Sequence, residues 1–146
     1  MQNQEKLLTE DIIRRTLTLS ESTLIQIVEE SLGFTLFEIR TSSRRAPLVI
    51  ARSILANLLR RETGCTFSRA GRIVGRDHAS VVKYTKDFKS SVQYYEKYKD
   101  AWELVLKHRE EQYSDISLKM MNTQIFQIES QLEILKQKQL LLIKNQ

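Results

Sequence analysis

A chain of 146 residues that is 41% hydrophobic and 28% charged has the size of one globular domain plus an appendage, and it carries a formal charge of +5. Its single cysteine, Cys65, excludes an internal disulfide framework and a thiolate metal site, and its longest aliphatic run, Leu140 to Ile143, is far short of the roughly 20 residues of a membrane span. Four glycines, one proline and no Asn-Gly or Asp-Gly pair leave little turn chemistry for hairpins, so the expected class is all-α.

The opening MQNQEKLLTED lacks a basic start followed by an apolar stretch, so no secretory signal is expected and the compartment is cytoplasmic. Residues 6–17 place Leu7, Leu8, Ile12, Ile13 and Leu17 in a loose helical pattern, an N-terminal extension over 1–17. Ser20 is the expected N-cap of a helix to Leu32, with Leu24, Ile27, Val28 and Leu32 on one face and Gly33 at the position after its end. Thr35 and Glu38 have capping-box spacing and open a short helix to about Arg40. The polar, basic TSSRRAP then reads as an exposed loop. Pro47 suits the first turn of a helix to Glu62, which buries Leu48, Ala51, Ile54 or Leu55, Leu58 and Leu59 and stops at Gly64. Thr66 or Ser68 caps a short helix to Val74, Gly75 permits a turn, and Asp77 caps the next helix. That helix passes Val81, Val82, Tyr84 (or Thr85) and Phe88 to the Ser90-Ser91 pair, and another carries Tyr94, Tyr95, Tyr98 and Trp102 to about Gln112.

The segment 113–146 differs in kind. Leu118, Met121, Ile125, Ile128, Leu132, Leu135, Gln139 and Leu142 alternate spacings of three and four, an a/d heptad seam interrupted by one glutamine. A homo-oligomeric coiled coil, parallel or antiparallel, is the expected way to bury it; packing against its own domain is the other. Phe126, Ile134, Leu140, Leu141 and Ile143 lie off the narrow seam and allow a broader interface.

The charge is concentrated. Residues 40–89 hold twelve basic side chains, nine of them arginine, against Glu62, Asp77 and Asp87, a net of +9, while the remainder of the chain is −4. Such a block is the footprint of a polyanion, although a solvated basic face has the same composition. The helix pair 66–74 and 77–89 across a glycine turn has helix-turn-helix spacing, in which the start of the second helix enters the major groove. There Asp77 can accept from a base amino group, His78 can donate or accept, Ala79 offers a methyl to thymine, and Ser80 and Lys83 suit phosphate oxygens. A plain N-cap at Asp77 and an exposed His78 are the bland alternatives.

VGRDHASVVKYTKDF resembles the signature of the C-terminal DNA-binding domain of the bacterial chromosomal replication initiator family, DnaA. Upstream, ARSILANLLRRETGCTFSRAGRIVGRDH and LTLSESTLIQIVEESLGFTLFEIRTSSRR resemble that family's long helix, short helix and basic loop, so about 18–110 is covered. The resemblance implies a multi-helix, Trp-repressor-like helix-turn-helix domain over 18–112. Its function would be sequence-specific binding of double-stranded DNA at a short asymmetric box, in regulation of replication initiation or transcription, with the protein associated with the nucleoid. It assigns Arg44 to the minor groove, with Arg45 as the register-shifted alternative. Asp77, His78 and Ala79 fall on base-reading positions, and Arg45, Arg52, Arg60, Arg76, Ser80 and Lys83 on positions that touch phosphate or support the motif. Ala79 stands where threonine is usual, and the turn is one residue shorter than is common in the family. No GxxxxGK[ST] sequence occurs, so no nucleotide or other cofactor is expected.

Catalysis is not expected. His78 and His108 form no metal-ligand pair, a Cys65–His78 dyad has only composition behind it, and Glu110, Glu111 and Asp115 read as solvated surface. The Tyr94, Tyr95, Tyr98 and Trp102 face suits packing better than base stacking. A protein-interaction adaptor built on the same scaffold, engaging its partner through 117–146, is the alternative to DNA binding.

Overall fold

The structure, a computed structural model, describes residues 13–145. Among those residues the chain forms α-helices joined by short turns: α1 (Leu19–Leu32), α2 (Leu36–Ile39), α3 (Ala46–Thr63), α4 (Phe67–Val74), α5 (His78–Tyr94) and α6 (Glu96–Lys144). Two compact units are formed, one through His108 and one from Arg109. Of the expected N-terminal helix, Leu7, Leu8 and Ile12 lie outside the described residues, Ile13 is buried, and Leu17 packs partly buried against the core.

The first unit is organised around α3, whose residues 50–59 are all buried because α1, α2, α4 and α5 pack around it. A helix covered on all sides must satisfy its own polar side chains. Ser53 Oγ lies 2.9 Å from the Tyr98 hydroxyl, and Asn57 Nδ2 donates to the carbonyls of Ser53 and Tyr84 at 2.9 and 3.2 Å. Phe88 closes the core edge-on to Tyr98 and Trp102, with ring centroids 6.0 and 4.9 Å away.

The ends of the helices follow local chemistry, with three departures from expectation. Helix α1 is capped by Thr18 rather than Ser20: Thr18 Oγ1 accepts from the Glu21 amide while Glu21 Oε1 accepts from the Thr18 amide, a reciprocal box that Ser20 has no glutamate to complete. The Ser90-Ser91 pair does not stop α5. Ser90 Oγ donates back to the Asp87 carbonyl at 3.0 Å, a bond made inside a helix, and the chain leaves the helix only at Tyr95, at φ −110° and ψ 101°. No break falls near Gln112 either. With no glycine or proline after Gly75, α6 runs from Glu96 to Lys144 as one element. The Thr35–Glu38 box, Pro47 in the first turn of α3, and Gly33, Gly64 and Gly75 in left-handed conformation at three helix ends stand as expected.

The aromatic stretch divides. Tyr98 and Trp102 enter the core, whereas Tyr94 is 79% and Tyr95 43% exposed. In the second unit every member of the heptad seam is exposed, from Leu132 at 50% to Leu142 at 69% among its apolar positions.

Candidate DNA interface

Helices α4 and α5 pack against each other across Gly75, Arg76 and Asp77. The approach is close: a Cβ on Gly71 would stand 2.5 Å from the Arg76 carbonyl oxygen and 3.2 Å from that of Asp77. Only glycine lets the first helix lie that near the turn. Gly75 reverses the chain at φ 74°, and a Cβ there would meet the Arg40 carbonyl at 3.2 Å. The base of the basic loop therefore abuts the turn that launches α5.

Arginine side chains hold that arrangement. Arg52 is 2% exposed; its Nε donates to the Ile39 carbonyl at 2.8 Å and its Nη2 to Thr41 and Ser43 at 2.9 and 3.3 Å. From the turn, Arg76 Nη2 donates to the same Thr41 carbonyl at 2.8 Å, and its Nη1 to its neighbour Gly75. Burial, and secondarily the Arg76 charge, depress the Arg52 guanidinium from its ordinary value. Arg40 Nη1 donates to the Arg72 and Ile73 carbonyls at the end of α4, the second at 2.8 Å. The opposite end of α4 is fixed by Arg69, which pairs through Nε and Nη2 with the buried Glu21 carboxylate at 3.0 Å each and also donates to the Thr16 carbonyl at 3.1 Å.

On this frame the predicted contact residues separate into two groups. Arg44, Arg45, Asp77, His78, Ala79 and Lys83 are exposed. Asp77 is the N-cap of α5: its Oδ1 accepts from the Ser80 amide at 2.9 Å and from the Ser80 hydroxyl at 2.7 Å, which holds its carboxyl below the usual carboxylate range. The capping carboxylate is itself exposed. The second group makes contacts within the fold, as positions that support the motif would. Arg52 is interior, its fork taken up by loop carbonyls. Arg60 lies over the Phe67 ring at 3.8 Å and donates to the Cys65 carbonyl. The Ser80 hydroxyl donates to Asp77, and Arg76 is turned to the loop. Sequence shows that these positions are polar, but not that an acceptor of the fold lies within reach: a backbone carbonyl for the three arginines, the Asp77 carboxylate for Ser80.

The structure also adds to the set. An open depression of about 560 Å³ is lined by Arg40, Gly71, Arg72, Gly75, Arg76, Asp77 and Ser80, and Arg72 on its rim is exposed. Arg72 counts in the basic block of the sequence, but its place beside the turn follows only from the packing of α4. Arg40 and Gly71 likewise carry no local sequence signal for their tertiary contacts.

A short helix, a three-residue turn and a capped second helix with an exposed first turn define a helix-turn-helix domain. Residues 22–87 match the family model of the bacterial dnaA protein helix-turn-helix. No curated protein and no solved structure matches the chain. No helix among the described residues is long and apolar enough to cross a membrane.

Proposed function

We propose that the protein binds double-stranded DNA in a sequence-specific manner, reading a short asymmetric element of the initiator-box kind, and that two copies joined through the heptad seam occupy paired sites. The first turn of α5 would enter the major groove with His78, Ala79 and the Asp77 carboxylate at base edges. Arg44 would enter the neighbouring minor groove, with Lys83, Arg45 and Arg72 at phosphates. In this reading the protein acts at the nucleoid in the cytoplasm, as a regulator of replication initiation or transcription.

The observation that carries the reading is the Arg76–Thr41 bond beside the Gly75 turn. It ties the loop bearing Arg44 to the start of α5, so both contact elements leave the fold from one place. The N-terminal end of α5 adds partial positive charge, and the +9 segment supplies the polyanion attraction. The seam is apolar at seven of eight positions, as a self-associating helix requires. Selection by the full chain from a random duplex library tests the reading. One recurrent asymmetric motif is the expected result; recovery of unrelated sequences would overturn specific recognition.

A further inference from the structure

Where the end of α1 meets the starts of α3 and α6, the first unit holds a cleft of about 280 Å³ in which the helix-turn-helix has no part. Leu32 and Phe34 border it on either side of Gly33, Ala46, Pro47 and Ile50 come from the first two turns of α3, and Lys97 and Ala101 stand one turn apart on α6. Ile50 is buried, Leu32, Phe34 and Ala101 are half-buried, and Ala46, Pro47 and Lys97 are exposed, so the cleft runs from the core to the surface. At positions 46 and 101 the two helices present only methyl groups to it, and no larger side chain fills the space between them.

The charge around this apolar space has one sign. Lys97 is the single charged residue of the lining, and among the described residues it pairs with no carboxylate. Helix α3 begins at the cleft with Arg45 as its N-cap, which makes no side-chain bond to the helix, and its first turn contains no acidic residue. The partial positive charge of that helix end therefore adds to the Lys97 ammonium instead of being cancelled by the protein.

We propose that the cleft binds a small organic acid, with a compact apolar body (a ring or a short branched chain) against Phe34, Ile50 and Ala101 and its carboxylate beside Lys97. The volume lies at the small end of ligand pockets, which suits one such body. Apolar walls take up the body by burial alone, and the unpaired ammonium at their edge favours a carboxylate over a neutral or cationic head of the same shape. An amine would meet like charge from both Lys97 and the start of α3. Walls from three elements fix the site within the fold of the first unit, so it exists whether or not the heptad seam is paired.

Equilibrium dialysis of the full chain against phenylacetate, isovalerate and cyclohexanecarboxylate, across the millimolar range, tests this. At least one of these acids is expected to bind saturably with one equivalent per chain, while the corresponding amines are not retained. Lys97→Met is expected to weaken that binding about tenfold. Ala101→Phe, which fills the cleft from its own wall, is expected to abolish it, with helical content by circular dichroism and thermal unfolding close to wild type. Lys99→Met removes a charge from the same helix outside the lining and is expected to bind as wild type does. Failure of all three acids to bind saturably would overturn the proposal. So would retention of the amines equal to that of the acids, binding unchanged in Ala101→Phe, or equal losses in Lys97→Met and Lys99→Met. None of these outcomes depends on DNA, whose recognition the library selection reads separately.

Discussion

Arg44 and Arg52 are eight positions apart in one basic stretch, yet the first is exposed and the second is 2% exposed with its fork on three carbonyls. Substitution should separate them. Arg52→Met takes the Arg52 donors from the Ile39 and Ser43 carbonyls and should lower stability by about 1–3 kcal/mol, read by chemical denaturation. Arg44→Ala should leave stability nearly unchanged and weaken binding to the preferred duplex by about 1–3 kcal/mol, and His78→Ala should do the same. Lys83→Ala should weaken all duplexes alike and reduce the salt slope by about one. Glu21 gives the fold an acid limit. The Arg69 hydrogen bond holds its carboxyl below the ordinary carboxylate range despite the opposing cost of burial. A carboxyl depressed in the folded state contributes its full stability above the unfolded value and loses it as pH falls through the folded one. Thermal unfolding followed from neutral to acidic pH should therefore show a steeper loss of stability for wild type than for Glu21→Gln.

The helices themselves are largely legible in the sequence. Thr35–Glu38, Pro47, Thr66, Asp77 and the terminal glycines fix ends by bonds between residues three or four apart, which spacing reveals. Where spacing misled, a local bond decided. Ser20 lost to Thr18 because Glu21 completes a box only from Thr18, and the serine pair bonded back into α5 rather than ending it. What sequence does not display is the long-range pairing that aims the site: Arg40 to the end of α4, Arg76 to Thr41, Arg69 to Glu21. Gly71 is the sharpest case, an apparently ordinary helical glycine whose lack of a side chain admits the Arg76 carbonyl. Gly71→Ala must force backbone apart and should cost about 1–3 kcal/mol as overpacking does. It should also weaken binding to the preferred duplex more than to a scrambled one, because α5 moves relative to the loop.

Taken together, the protein joins a helix-turn-helix unit, in which α5 and the basic loop meet at Gly75–Arg76, to a helical segment that carries an exposed apolar heptad seam. In the proposed reading that unit would provide specificity, and linked copies would raise the effective concentration of one unit near a second site when their spacing allows both to engage. Truncation after His108 should accordingly reduce affinity for paired sites far more than for a single one. The direct test of groove recognition is a comparison, at one physiological salt concentration, of the full chain's affinity for a duplex carrying the selected element and for its scrambled counterpart, repeated with Arg44→Ala and His78→Ala. A preference of at least about a thousandfold, reduced by each substitution on the selected duplex alone, is the expected result. Equal affinity for the two duplexes, or equal losses on both, would contradict placement of these side chains in the grooves.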